Sequence, residues 1–586
     1  MQLTSNKIAK RNLIVLCFLL FESVIVLGGC ASPKLVVCEK RVRFAEPNKI
    51  EFNDNEKLLL CGDVSKESWT EIPPAQAEYM LRDLLKQRGY YSPNFSYRND
   101  MLTVDPGPLK RVSSLTFKGE PTGFSDVKIR NVLGAALTSS ALNQVEDFTT
   151  SRLKNMGFAC PDVKIRASDV SGAINVTIKT GAPYFFSDPV VAESLGLYPR
   201  TMRRFDAFQI HDPYHYEWLK LSSNRAENDG IVVSSQFDLK CPNPTLVQHL
   251  MGGDRHLLTV GAGISTEEFP IVELTLKSVR LSDLGTNLQT SLHLSQRIQK
   301  LNAIFTDYVF KNAPRVDFAP TFTVDHDTEP SYSFTQFQTV VPLEYRADTQ
   351  SEAWLFSLGP AINRQYSVDY ASLIPESYFS LVGHINLMAH QYELYETDPR
   401  GGSTEDLNIQ IISNQISATP LAFVYRFTGS NLLQLNAVEP PQWILGFRYG
   451  LATTVSEQRP ESSTLLPPQY FNTLGGDQNL RGFGRNELAQ GTVGAMTSVF
   501  LSSEIRYAKS WAYGIEPFLF FDMGALGDLP FDLQSVLYYS PGLGIRWSTP
   551  FGSIRGTFSH GYISKEESEQ NDVQHFQAFF SFGKEF

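Results

Sequence analysis

Gly475-Gly476-Asp477-Gln478-Asn479-Leu480-Arg481-Gly482-Phe483 is a glycine-rich segment that ends Arg-Gly-aromatic. About 90 residues later comes Phe576-Gln577-Ala578-Phe579-Phe580-Ser581-Phe582-Gly583-Lys584-Glu585-Phe586, an alternating aromatic strand. A strand with this alternation and a terminal aromatic has the pattern of the closing strand of an outer-membrane β-barrel. Between the two lie Phe518-Leu519-Phe520-Phe521-Asp522-Met523-Gly524 and Gly542-Leu543-Gly544-Ile545-Arg546-Trp547-Ser548-Thr549-Pro550-Phe551-Gly552-Ser553-Ile554-Arg555.

Working outward, composition suits such a barrel. The 24 Tyr and 40 Phe can supply aromatic girdles. Beyond the N-terminus, no apolar run approaches the ~18–20 residues of a membrane helix. From about His256, segments of roughly ten residues alternate in polarity: Ile271–Leu281, Leu288–Ser295, Trp354–Leu358 and Val499–Tyr507. At ~20 residues per strand and connection, the roughly 330 residues to Phe586 hold about 16 antiparallel strands; the arithmetic also admits 14 or 18. The net charge of −11 argues against nucleic acid as a partner.

The N-terminus reads as a targeting segment, 1–29. Lys7, Lys10 and Arg11 precede an apolar stretch from Leu13 to Leu27, interrupted by Glu22. Leu27-Gly28-Gly29-Cys30 looks like a lipobox, with Cys30 lipidated; an ordinary secretory signal cut nearby is the other reading. Cys38, Cys61, Cys160 and Cys241 then remain in a disulfide-permissive compartment. Cys38–Cys61 with Cys160–Cys241 is one of three pairings, and the spacings are not those of a metal site.

After a linker at 30–48, a grammar repeats. A helix at Ala75–Gln87 carries Ala77, Met80, Leu81, Leu84 and Leu85 on one face. Gly89-Tyr90-Tyr91 ends it, and two strands follow, Asn94–Tyr97 and Met101–Val104. About 70 residues on, a leading strand (Val112–Phe117) opens a second unit. Its helix carries Val145, Phe148, Leu153 and Met156, and strands follow at Asp162–Arg166 and Ile174–Ile178. A third, divergent unit has a candidate helix with Tyr216, Leu219 and Leu221, and a candidate strand Gly230–Ser235. The units span 49–107, 108–182 and 183–250, with the barrel at 251–586.

In order, the loop motif, the Phe-Asp strand and the Gly-rich strand pair resemble the BamA/TamA-type outer-membrane assembly proteins of the outer membrane protein 85 superfamily. The leading units resemble the POTRA modules of that superfamily, and three of them resemble the TamA type more than others. The resemblance is clear over roughly the last 120 residues, fair at Leu257–Leu281 and thin between 300 and 460. It implies an all-β transmembrane barrel in the bacterial outer membrane, with small α+β domains in the periplasm. It implies insertion or translocation of β-barrel or autotransporter clients among outer-membrane lipids, with no cofactor and a TamB-like inner-membrane-anchored partner.

Strand alternation puts Glu516, Phe518, Phe520 and Asp522 on one face. A lipid-facing carboxylate is costly, so Asp522 should face the lumen. Arg481 alone reads as a solvated loop residue; the resemblance implies that it folds inward and pairs with Asp522, flanked by Gly482 and Phe483. Gly261 and Gly263 in the first strand, with Gly583 and Phe586 at the other end, suggest a weak seam able to open sideways. Tight barrel curvature explains the same glycines equally well.

Three other functions stay in view: a two-partner secretion conduit, phospholipid transport with the TamB-like partner, and an outer-membrane phospholipase. Ala31–Ile50 is too short and polar for the plug helix usual in such conduits. No Gly-x-Ser-x-Gly elbow, Walker loop or His-Glu-x-x-His is present, so no catalytic residue is assigned. Asp325-His326-Asp327 reads as a polar turn or rim before Pro330 rather than a metal site. His384 and His390 read as surface or luminal residues.

Overall fold

A computed structural model describes residues 42–44, 50, 52–61, 74–98, 101–193, 195–241, 244–330, 332–367, 377–389, 392, 399–413, 419–435, 442–457, 466–489, 493–508, 514–549, 552–564 and 575–582. The targeting segment, Cys30, Cys38, His390, Gly583 and Phe586 lie outside the described residues.

Three small modules share one plan. In each, the last strand of the module is the centre of a three-stranded sheet, and the leading strand runs parallel to it. The first has Val42–Phe44 beside Met101–Asp105, with Asn94–Arg98 on the other edge. Val42–Phe44 lies inside the stretch expected to be a linker; three residues are too few to display a period-2 signal. Helix α1 (Asp54–Cys61) was also not expected. It begins with a reciprocal cap: the Glu56 N–H donates to Asn53 Oδ1 at 2.9 Å, and the Asn53 N–H to Glu56 Oε2 at 2.8 Å. Helix α2 (Pro74–Gln87) lays Ala77, Leu81 and Leu85 onto Leu102 and Val104. The spacing of these residues is the i, i+4 stripe that makes the helix amphipathic.

The second module has strands Ser114–Lys118, Ala173–Lys179 and Asp162–Ala167 with helix α3 (Ser139–Lys154). Its Ile174, Val176 and Ile178 are buried as their alternation requires. The third has strands Val190–Val191, Thr245–Met251 and Ser234–Lys240, a 3-10 turn at Thr201–Phe205 and helix α4 (Tyr216–Asp229). The candidate strand Gly230–Ser235 is corrected here. Gly230 is the cap of α4 at φ 78°, a left-handed conformation suited to glycine, and the strand starts at Ser234.

Cys160 and Cys241 form a disulfide across a separation of 81 residues. By loop-closure entropy such a link stabilises by about 4–5 kcal/mol. Replacing both with serine is expected to lower the melting temperature of the third module in a calorimetric scan. An unchanged transition would show that packing around Phe186, Phe208 and Tyr214 suffices alone.

The barrel has 16 antiparallel strands and is closed. They are β1 (His256–Ser265), β2 (Ile271–Ser278), β3 (Asn287–Leu294), β4 (Ile298–Thr306), β5 (Val316–Phe318 with Thr321–Thr328), β6 (Ser333–Val340 with Leu343–Arg346), β7 (Glu352–Ser367) and β8 (Ser377–Ala389). Then follow β9 (Gly402–Ser413), β10 (Ala422–Gln434), β11 (Trp443–Ser456), β12 (Thr497–Tyr507), β13 (Ile515–Gly527), β14 (Tyr538–Thr549), β15 (Gly552–Ile563) and β16 (His575–Phe582). β5 and β6 are each interrupted where Pro320 and Pro342 have no N–H to donate. Their carbonyls still accept: Pro320 from Phe305 at 3.0 Å and Pro342 from Ala319 at 3.2 Å.

Alternation sorts each strand into a wet face and a lipid face. On β13, Leu519, Phe521 and Met523 are exposed while Phe518, Phe520 and Asp522 are buried. Leu543 and Ile545 on β14 and Phe576 and Phe580 on β16 continue the apolar outer belt. Among the described residues no helix is long and apolar enough to cross a membrane; the strands cross.

The third module is strapped to one rim of the barrel. Arg204 donates to the Leu284 carbonyl at 3.0 Å and stacks its guanidinium 3.6 Å from the Tyr308 ring centre. Arg315 donates to the Asp206 carbonyl at 2.8 Å, and Arg225 to that of Glu352 at 3.2 Å. These contacts engage the β2–β3, β4–β5 and β6–β7 turns and so define the rim of the third module. The long β11–β12 loop rises from the opposite rim.

Candidate functional site: the inward loop and the barrel seam

The β11–β12 loop turns back into the bore. Two apolar clusters hold it. Leu466, Tyr470, Phe471, Val493 and Met496 pack on Tyr378, Ile412, Ala422 and Val424 of β8 to β10. Leu474, Leu480, Phe483 and Leu488 pack with Ala495 and Leu526. Gly475 and Gly476, at φ 111° and 110°, make the reversal that a side chain would strain.

Between these clusters sits Arg481, its side chain fully buried. Its Nε donates to Asp522 Oδ2 at 2.9 Å and its Nη2 to Asp522 Oδ1 at 2.6 Å. The Arg481 backbone N–H also reaches Asp522 Oδ2, at 3.1 Å. Nη1 donates to Glu504 Oε2 at 3.1 Å and Nη2 to Ser502 Oγ at 2.9 Å. The guanidinium carbon lies 3.4 Å from the centre of the Phe520 ring. The fork of a guanidinium matches a carboxylate on two atoms at once, and its face suits an aromatic; a lysine could offer neither.

The structure therefore brings Arg481 and Asp522 together, with Asp522 on the luminal face of β13. Glu504 and Ser502 on β12 also join the site. Sequence reasoning passed over them, although Ser502, Glu504 and Arg506 alternate with Leu501, Ser503 and Ile505 and so share the inner face. Glu504 is held in turn by Arg506 at 3.0 Å and faces Arg555 at 3.7 Å.

Gly482 is where the backbone of the loop meets the wall. A Cβ there would lie 2.5 Å from Ser540 Oγ and 2.6 Å from the Gly561 backbone. Phe483 follows, fully buried, its ring 5.9 Å from that of Tyr538. On the far side of the bore, Gln469 donates to Gln336 at 2.9 Å and accepts from Gln365 at 3.2 Å. Gln410 donates to the Tyr470 hydroxyl at 3.0 Å. The loop thus touches strands on opposite walls and crosses the lumen.

The seam between β1 and β16 is the second part of the site. Among the described residues it has two registered pairs, Ile264 with Phe582 and Ser265 with Ser581, extended by the Thr266 N–H donating to Phe580 O at 2.9 Å. Each seam strand registers over eight pairs with its other neighbour. Gly263 lies against the seam, where a Cβ would stand 2.9 Å from the Phe582 carbonyl; Gly261 faces Glu273 of β2 instead.

One expectation elsewhere is corrected. Asp325-His326-Asp327 is neither turn nor rim but part of strand β5, and its alternation sends His326 to the face opposite both aspartates. Among the described residues no His/Cys/Asp/Glu group is arranged for a metal. His384 is luminal and meets Asp406 at 2.5 Å.

In sequence, residues 283–586 match the model of the Omp85 superfamily domain, just over half of the chain. No curated protein matches. Among solved structures the chain is similar to BamA from Haemophilus ducreyi lacking POTRA domains 1-3, at 14% identity and TM-score 0.49, over 80% of this chain and 99% of that one. It is also similar to CdiB from Acinetobacter baumannii, at 12% identity and TM-score 0.45, over 87% of this chain and 96% of that one. For CdiB from Escherichia coli the values are 13% and 0.44, over 86% and 95%. On the match across its barrel, the chain belongs to the Omp85 superfamily: it is an outer-membrane β-barrel protein.

Proposed function

We propose that this protein inserts or translocates β-barrel or autotransporter clients, and that it does so at the β1–β16 seam rather than through its bore. The observation that carries this reading is the contrast between the two routes. The bore is crossed by a loop anchored through a fully buried Arg481. The seam has two registered pairs among the described residues, where the neighbouring strand pairs have eight. An edge with unpaired backbone N–H and C=O groups is a template for an incoming strand. A client strand would add to that edge by backbone hydrogen bonds, a step that needs neither a nucleophile nor a cofactor. We further propose a TamA-type role with a TamB-like inner-membrane-anchored partner, to be tested by crosslinking from the first module.

The decisive experiment locks the seam. Cysteines at Ile264 and Phe582, which are directly opposite, should form a disulfide under oxidising conditions. The oxidised protein is expected to lose client assembly and regain it on reduction, with the barrel folded throughout. Full activity in the locked state would overturn seam opening and favour passage through the lumen, as in a two-partner secretion conduit.

A further inference from the structure

The tip of the β11–β12 loop reaches both sides of the seam. Toward β1, the Asp477 N–H donates to Glu267 Oε1 at 3.1 Å, in the hairpin that follows the strand. Arg485 stands 3.8 Å from Glu267 and 3.9 Å from Glu268. It also pairs with Glu329 of the β5–β6 hairpin at 3.0 Å, and Asn486 donates to the same carboxylate. Arg297 of the β3–β4 hairpin holds Glu329 from the other side. Burial alone would raise the Glu329 carboxyl; Arg485 and Arg297 outweigh it and hold it below its ordinary value. Toward β16, Glu487 pairs with His575 Nδ1 at 3.0 Å, and the Phe483 ring lies 5.0 Å from that of His575.

A single residue, Asn486, separates Arg485 from Glu487, so one short piece of backbone links the two banks. Strand pairing across the seam is slight here, and the polar bridge stands at the rim where that pairing is found. We propose that Arg485–Glu487 is a clasp across the β1–β16 seam, and that its release governs how often the seam opens. The proposal rests on the seam-opening reading but concerns the regulation of opening, not its use. Arg485 and Glu487 are positioning residues: they fix the distance between the two edge strands and touch no client.

The test uses the full chain in lipid nanodiscs with no client present. Spin labels are attached through azidophenylalanine at Phe269 and Phe576, exposed positions on either side of the seam. Pulsed electron–electron resonance then reads the distance. The wild type should show one narrow population. Arg485→Ala should raise a second, longer population roughly fivefold, the scale expected for losing part-exposed ion pairs. Glu487→Gln, nearly isosteric, serves if the larger change misfolds. Glu487→Lys should open the seam, and adding His575→Glu should close it again, a rescue that a merely structural role would not produce. An unchanged distance distribution in Arg485→Ala and Glu487→Gln would overturn the clasp. Client assembly is assayed separately with the Ile264–Phe582 lock, so failure of the clasp and failure of the functional reading are told apart.

Discussion

Arg481→Ala is expected to abolish or nearly abolish client assembly while leaving a barrel in the membrane. The change strands Asp522, which keeps the Ser502 hydroxyl at 2.7 Å but loses its cation. Removing one partner of a buried ion pair costs ~3–5 kcal/mol, because the other charge stays buried without compensation. Glu504 suffers less, since Arg506 and Arg555 remain beside it. Arg481→Lys should fall between, as a point charge cannot span both carboxylate oxygens. The double change Arg481→Ala/Asp522→Ala should be more stable than Arg481→Ala alone, since no orphan charge is left, yet still defective in assembly. Protease cleavage of the loop and a client-insertion assay read the two effects. Arg481→Ala with wild-type loop protection and wild-type insertion would sink the idea that this pair fixes the loop.

Gly482→Ala should be nearly as damaging, through shape instead of charge. One added methyl would stand 2.5–2.6 Å from Ser540 and Gly561, distances that real contacts do not show, and Gly561 offers backbone that cannot swing aside. Overpacking of this kind costs typically 1–3 kcal/mol. The loop would have to lift from β15, dragging Arg481 from Asp522. Gly484→Ala is the comparison: its nearest obstacle is the flexible Glu487 carboxylate at 3.1 Å, so the loop should stay seated. Equal loss of assembly in both variants would show that the loop senses backbone freedom, not the close approach at Gly482.

The inward face of Asp522 was legible because a strand has only two faces and lipid rejects a carboxylate. The same rule marks Glu504 inward, but a rule about faces does not say which inward groups meet. The meeting is set by the loop, whose position depends on Tyr378, Ile412 and Val424, residues about 50–90 positions upstream of it in the chain. Strand number could be bounded by length, whereas the breaks at Pro320 and Pro342 disguise β5 and β6 as four short strands. The strap of Arg204 on Tyr308 left no local trace, since neither residue breaks the pattern of its own segment. Short elements such as Val42–Phe44 carry too few residues for any periodicity to register.

The inward loop also has a bearing on the order in which the chain folds. The side chains that grip Arg481 all follow it in sequence: Ser502, Glu504 and Asp522 at separations of 21, 23 and 41 residues, and Ser559 at 78. The seam joins Thr266 to Phe580 across 314 residues. Closing a short stretch of chain costs less entropy than closing a long one, and short-range contacts form sooner. The last five strands are therefore expected to be laid down around a loop that is already in hand, with the first strand met last. In this order the bore is filled before the wall is complete. The newborn barrel is then expected to add no conductance to a planar bilayer as it inserts, and a transient current would overturn this order.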